Sequence, residues 1–222
     1  MTSHPTRRRL LGQVVAAAGG TLLAGQTGRA FAASQPASLP PIGQTINLSL
    51  NAFGATLAVN LPPPLPTLNF IGSMRVKVLA GGTDFVRLQT LHLTMAAHHP
   101  LFGTVTLRLP DLDVGPLSIL KIGPGGITAN WNQSMEATFE RSGDTEGPFV
   151  YETLDPAKWV AHLTHYPPPP QQTNPNGSPT GGALFQLQAP IRLGTVSPTG
   201  KKTPYAQLQG MNVNQGQLPG PA

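Results

Sequence analysis

Apolar and polar residues alternate one by one along much of the chain after residue 44. Met74, Val76 and Val78 alternate with Arg75 and Lys77. Strict alternation places successive side chains on opposite faces of a strand, so one face is buried and the other wet. Similar alternation occurs at 91–95, 104–109 and 135–140, and further strands are expected at 44–50, 54–61, 84–89, 117–122, 126–132, 148–154, 183–188 and 204–209.

These short strands, separated by glycine and proline, predict a mainly β protein. Either a single antiparallel β-sandwich or a partly closed β-barrel fits the pattern, and the sequence leaves both open. Residues 44–212 form this one β-rich domain. The segment 33–43 is expected to be a flexible lead-in, and residues 213–222, rich in Gly, Pro and Gln, a disordered tail.

One short helix, at about 156–166, is expected to pack on the sheet. Asp155 can cap its first turn and Pro156 fits the first helical position. On a helical wheel an apolar arc of about 120° forms, made of Pro156, Trp159, Val160, Leu163 and Tyr166. Four prolines at 167–170 then end the helix.

The first 32 residues have the three parts of an export signal: a basic start, a weakly apolar run, and small residues before a cleavage point. Thr6-Arg7-Arg8-Arg9-Leu10-Leu11 resembles the twin-arginine (Tat) signal of bacteria, and Ala30-Phe31-Ala32 would direct cleavage before Ala33. The glycine-broken run from Leu10 to Ala24 falls short of the ~20 apolar residues that span a bilayer.

This resemblance implies a secreted or extracytoplasmic protein, in the periplasm or cell envelope, that meets the Tat translocase and a signal peptidase during export. No transmembrane anchor is expected after cleavage. The composition, rich in Gly, Ala, Pro and Thr, together with the leader, resembles that of small exported actinobacterial proteins. It implies no particular activity.

Most of the net charge belongs to the leader. The chain has 14 Lys+Arg and 9 Asp+Glu, a net charge of +5. Four of the basic residues (Arg7, Arg8, Arg9 and Arg29) are lost with the leader, leaving 10 basic against 9 acidic residues, a net charge of +1. Nucleic-acid binding, which needs a basic stripe, is therefore not expected. Cysteine is absent, which excludes disulfides and thiolate metal sites.

Histidines are the remaining candidates for metal ligands. His162 and His165 are spaced i, i+3 on the expected helix and could chelate one ion, although His165 would face solvent. His98 and His99 are neighbours in an extended segment, so their side chains should point apart. Surface positions are the simpler interpretation for all four, and no cofactor is expected.

Carboxylates offer a further route to catalysis. Asp111 and Asp113 would share a face about 7 Å apart in a strand, but the segment around them has the composition of a turn, where Asp usually bonds local backbone. Glu136 and Glu140 would lie about 13 Å apart along a strand, farther than paired catalytic carboxylates. The chain lacks the Gly-x-Ser-x-Gly and His-Glu-x-x-His motifs.

Two main functions therefore remain. The first is non-catalytic binding of a small apolar ligand, an envelope glycan or a protein, with Trp131, between two asparagines, as a stacking residue. The second is a β-barrel enzyme, such as a cyclase, isomerase or hydrolase, with catalytic groups lining a cavity; its candidates are His92, His98, Asp111, Asp113 and Glu140. A redox or metal carrier is a third possibility, motivated only by the export route.

Overall fold

Strands account for nearly all the regular structure. The computed structural model describes residues 38–59, 63–111 and 115–218, and within these ranges it contains no helix, hence none that could cross a membrane. Its strands are Thr45–Ala58 (β1), Thr67–Leu79 (β2), Phe85–His99 (β3), Gly103–Arg108 (β4), Ser118–Gly123 (β5), Gly126–Gln133 (β6), Glu136–Ser142 (β7), Thr145–Thr153 (β8), Ala157–Leu163 (β9), Gln171–Thr173 (β10), Pro179–Gly181 (β11), Ala183–Leu187 (β12), Ile191–Val196 (β13), Lys202–Gln209 (β14) and Val213–Gln217 (β15). The expected mainly β fold is confirmed.

The main sheet is antiparallel, and its strand pairings close on themselves twice. Its order is β14-β13-β8-β7-β4-β3-β2-β1-β15-β12-β9-β6-β5, with further pairings of β14 with β1 and of β3 with β5. The first circuit consists of β1, β2, β3, β4, β7, β8, β13 and β14. The second circuit consists of β1, β15, β12, β9, β6, β5, β3 and β2. Strands β1, β2 and β3 belong to both.

The shared strands divide their length between the two circuits. In β1, Leu48–Asn51 pairs with β15 of the second circuit, whereas Thr56–Ala58 pairs with β14 of the first. The register between β1 and β2 shifts between Ala52 and Ala55, where Gly54 has a φ of 77° that other residues rarely adopt. Such a bulge bends the strand. Buried apolar positions accordingly change from even numbers before the bulge to odd numbers after it.

One continuous hydrophobic core fills both circuits. In the first circuit, Phe70, Leu107 and Phe139 are fully buried. In the second circuit, Trp159 and Phe185 are the large buried side chains. Eight-stranded closed sheets have an interior that side chains can just fill, and both circuits are packed in this way.

The expected helix at 156–166 is wrong, because residues 157–163 form strand β9. The segment Ala157-Lys-Trp-Val-Ala-His-Leu163 also alternates: Ala157, Trp159 and Leu163 are buried, while Lys158 and His162 are exposed. Both periods fit so short a segment, and pairing with β6 and β12 on its two sides decides the outcome. Asp155 caps no helix and instead accepts hydrogen bonds from Arg192 and Lys202.

The expected disordered tail is also wrong over residues 213–217. These residues form β15, which pairs with β1 and β12, and Val213 and Gln215 are buried. The sequence Val-Asn-Gln-Gly-Gln carries little apolar signal, so the strand is stabilised by its two neighbours and not by its own composition. The expected leader at 1–32 lies outside the described residues.

Candidate functional site

A pocket opens at one end of the first circuit, where the ends of β1 and β14 meet two turns. Its volume is about 340 Å³, within the range of small-molecule sites. We call it the mouth pocket. The end of β1, the β3–β4 turn, the β7–β8 turn and the start of β14 provide its walls: Val59, Leu101, Phe102, Ser142, Gly143, Pro204 and Tyr205.

The two turns that form the wall are tied to each other by backbone hydrogen bonds. The N–H of Gly143 donates to the carbonyl of Leu101 at 2.9 Å, and the N–H of Arg141 donates to that of Phe102 at 3.1 Å. The Arg141 guanidinium also donates to the carbonyl of Pro100 at 2.6 Å. These bonds fix the β3–β4 turn against the β7–β8 turn and hold Leu101 and Phe102 in place.

Aromatic rings form a continuous layer from the pocket wall into the core. Phe102 contacts Phe139 edge-on with ring centroids 5.6 Å apart, and Phe139 contacts Tyr151 edge-on at 5.7 Å. Tyr151 and Tyr205 stack at 4.1 Å with an interplanar angle of 9°. Because Tyr205 is 38% exposed, part of this layer remains available to a ligand.

The polar groups of the pocket are uncharged. The hydroxyl groups of Ser142 and Tyr205 are 3.3 Å apart, and either can donate. Burial, together with the hydrogen bond to Tyr205, raises the pKa of Tyr151 to about 12. Among the described lining residues none is ionised at neutral pH. The pocket therefore suits an apolar molecule with one or two hydrogen-bonding groups.

A histidine lies against the pocket wall, but it is His99 and not the expected His98. The His99 ring lies 5.5 Å from that of Phe102, and its Nδ1 accepts a hydrogen bond from the Leu101 N–H at 3.2 Å. Burial lowers the pKa of His99, and the neighbouring His98 lowers it further. The His99 imidazole is thereby kept neutral beside the pocket.

His98 and Glu140 are exposed on the outer face of the first circuit. Glu140 Oε2 accepts a hydrogen bond from the Thr104 N–H at 2.6 Å, and this bond is the main reason that the pKa of Glu140 is lowered. The carboxylate thus anchors the start of β4. Neither side chain lines the mouth pocket.

Two other candidates, His92 and Asp111, lie in separate surface depressions. His92 is exposed opposite Arg75 in the β2–β3 pairing. Asp111 borders a depression of about 630 Å³, larger than the mouth pocket, in which Glu136 pairs with Arg108 at 2.5 Å. Asp155, also in that depression, is bonded to Arg192 and Lys202. Since two of its acids are already paired, we place the site elsewhere. The candidate Asp113 lies outside the described residues.

The proposed metal ligands are not brought together. His162 lies on strand β9, exposed, with its Nδ1 3.4 Å from the Thr128 hydroxyl. His165 follows the strand, and its Nδ1 lies 3.0 Å from the Thr164 hydroxyl. Residues three apart point to opposite faces of an extended chain, so the helical spacing no longer applies. No group of three or more potential metal ligands occurs in the described ranges.

Trp131 lies inside the second circuit, away from the mouth pocket. It is 4% exposed and stacks on Trp159 at 4.2 Å with an interplanar angle of 21°. It also borders a small internal cavity. Trp131 is therefore buried and does not offer an exposed ring face on which a ligand could stack.

The residues of the mouth pocket were missed by sequence reasoning. Tyr151 and Tyr205 lie in strands that alternation predicts, but they are 54 positions apart and nothing local relates them. Ser142 and Tyr205 are separated by 63 positions. The closure of the first circuit is what brings them together.

The fold and the pocket define the class: an antiparallel all-β domain with two closed circuits and an aromatic pocket at one end. No protein-family model matches the chain, and no curated protein matches its sequence. Among solved structures, it is similar to DynF from the dynemicin biosynthesis pathway of Micromonospora chersina, with a TM-score of 0.57 and 16% identity. The match covers 82% of this chain and 84% of that one, so the two share a fold over most of their length.

Proposed function

We propose that this protein binds a small apolar, ring-bearing molecule in the mouth pocket. The observation that carries the proposal is an uncharged pocket of about 340 Å³ whose wall continues into stacked aromatic rings. Aromatic surfaces favour ring-bearing ligands through stacking and edge contacts. The hydroxyl pair of Ser142 and Tyr205 would orient a single polar group of the ligand.

Two considerations support a small molecule over a glycan or a protein. A glycan needs many polar partners, whereas the described lining has mainly apolar side chains. The fold similarity to DynF, a protein of the dynemicin biosynthesis pathway, is in keeping with a small-molecule ligand.

The proposal is tested with N-phenyl-1-naphthylamine, a neutral aromatic dye whose fluorescence rises on entering an apolar site. Tyr205→Ala removes one face of the pocket and its stacking ring, and we expect it to weaken dye binding about tenfold. This factor corresponds to ~1.4 kcal/mol, the upper range of an aromatic pair interaction.

Leu184→Ala is the matched control, because Leu184 is an exposed apolar residue on β12 of the second circuit. It should leave the dye affinity unchanged. Equal losses in both variants would indicate nonspecific surface binding, and unchanged affinity in Tyr205→Ala would contradict the proposal.

We also propose that the protein acts outside the cytoplasm after export by the Tat route. The support is the Thr6–Leu11 motif and the small residues Ala30 and Ala32. Replacing both Arg7 and Arg8 with lysine should retain the chain in the cytoplasm on cell fractionation, whereas Arg9→Lys, outside the twin pair, should not.

A further inference from the structure

A small cavity lies inside the second circuit, among side chains from several of its strands. The space that the centre of a water molecule can occupy there is about 10 Å³. Apolar side chains form most of the wall, among them Met74, Val76, Leu88, Leu120 and Phe185. The polar part of the wall includes Trp131, Tyr166 and Gln215.

Two of the polar groups on this wall are hydrogen-bond donors without partners, whereas the Ser118 hydroxyl is bonded to the backbone of Asn132. Trp131 Nε1 and Gln215 Nε2 are buried and form no hydrogen bond with any residue that the structure describes. An indole N–H and an amide NH2 can only donate. Tyr166 also borders the cavity, and burial raises the pKa of its hydroxyl group, which therefore stays neutral.

The neighbouring Trp159 shows that the fold can satisfy an indole N–H in this region. Its Nε1 donates to the carbonyl of Met211 at 2.7 Å. A buried donor without a partner costs about 1–3 kcal/mol, and buried polar groups in native proteins are almost always bonded to protein or to water. Donors on one cavity wall therefore indicate a missing acceptor.

We propose that the second circuit contains a binding site for one neutral acceptor oxygen, held by the unpaired donors of Trp131 and Gln215. The available space fits one oxygen atom, since a cavity of about 10–15 Å³ by this measure holds one water. A water molecule would supply that oxygen.

The remaining lining favours a neutral oxygen over an anion. No charged side chain is among the described residues that border the cavity. Burying a carboxylate without a cationic partner is much costlier than burying a hydrogen-bonded neutral oxygen. The site is separate from the mouth pocket, so the test of this proposal does not depend on the function proposed above.

The indole N–H signals of the two tryptophans provide the test, because ¹⁵N-labelled protein gives one peak for Trp131 and one for Trp159. We expect a water cross-peak to the Trp131 N–H. The Trp159 peak is the internal control, since its N–H is already bonded.

Trp131→Phe assigns the signals by removing one of them while keeping a ring against Trp159; Trp159→Phe serves the same purpose should that variant not fold. Gln215→Met, which removes the second unpaired donor, should weaken water binding and hence the water cross-peak about fivefold, the factor that ~1 kcal/mol for one net hydrogen bond represents.

A water cross-peak to the Trp131 N–H that weakens in Gln215→Met supports the site. The proposal is overturned if the Trp131 N–H shows no water cross-peak, because that result means a dry, apolar cavity.

Discussion

The two circuits each contain a pair of stacked aromatic rings, and the pairs differ in what surrounds them. Trp131 and Trp159 stack at 4.2 Å within the second circuit, where both are buried. Tyr151 and Tyr205 stack at 4.1 Å at the mouth of the first circuit, where Tyr205 is exposed. The ring distances are nearly equal, but the surroundings differ. The tryptophans are packed in a core, whereas the tyrosines leave one ring face open to a ligand.

Hydrogen bonding separates the two pairs further. In the second circuit one indole N–H is bonded to backbone and the other faces a cavity. In the first circuit the Tyr205 hydroxyl lies 3.3 Å from the Ser142 hydroxyl at the pocket wall. Loss of a ring should therefore reduce stability in the second circuit and ligand binding in the first.

The largest expected effect is that of Trp159→Ala. Trp159 is fully buried, and its removal leaves a cavity beside Trp131 and an unpaired Met211 carbonyl. Replacing a buried large aromatic residue with alanine costs about 3–5 kcal/mol. Urea denaturation followed by circular dichroism measures this as a lower free energy of unfolding.

Tyr205→Ala is the comparison variant for stability. Because Tyr205 is partly exposed, its loss should cost about 1 kcal/mol, mainly the stacking with Tyr151. If it destabilised the protein as much as Trp159→Ala does, the tyrosine pair would be core, and its assignment to a ligand surface would be wrong.

A second, smaller effect is expected where the circuits share their strands. Gly72 pairs with Leu50 of β1 and with Met95 of β3. A Cβ at this position would lie 1.9 Å from the Thr94 carbonyl oxygen and 2.6 Å from Met95 Cα. Gly72→Ala must therefore displace backbone, and we expect a loss of about 1–3 kcal/mol, as in overpacked cores.

Gly123→Ala is the matched control, since a Cβ there meets nothing within 4 Å. It should change stability by no more than about 0.5 kcal/mol. Near-ultraviolet circular dichroism should show that Gly72→Ala alters both the tryptophan and the tyrosine bands. A change confined to one kind of ring would mean that the circuits respond separately, despite their shared strands.

Alternation predicts much of the fold because burial on one face is a local property of a strand. Met135, Ala137 and Phe139 are buried as their spacing indicates, and Glu140 is exposed. The pattern is ambiguous at 157–163, where seven residues fit the periods of both a helix and a strand. There the neighbouring strands, which the local sequence does not encode, determine the structure.

The closure of the two circuits and the position of the mouth pocket cannot be predicted from local sequence patterns. The pairing of Thr56 with Gln209 closes the first circuit across most of the chain, and the pairing of Val86 with Leu120 closes the second. Trp131 was identified as a candidate from its type alone, and the structure places it in a core. Tyr205 and Ser142 become candidates only through a contact between distant strands.

The smallest expected effect concerns pH and the tyrosine pair. The pKa of Tyr151 is about 12 in the folded protein, against about 10 in an unfolded chain. The neutral phenol is thus favoured by folding, so its contribution to stability is complete below pH ~10 and is lost as the pH rises through ~12. Between pH 9 and 11 the wild-type protein should lose more stability than Tyr151→Phe.

The difference should be about 1 kcal/mol or less, because Tyr151 is only partly buried and solvent screens the interaction. Urea denaturation of both proteins at the two pH values measures this difference. Deprotonation of the lysines and of Tyr166 contributes equally to the loss of stability in both proteins, so it cancels. Equal losses would mean that the Tyr151 hydroxyl is as well hydrated in the folded protein as in the unfolded chain. The layer of rings beneath the mouth pocket would then be open to solvent, and the contrast with the buried tryptophan pair would not hold.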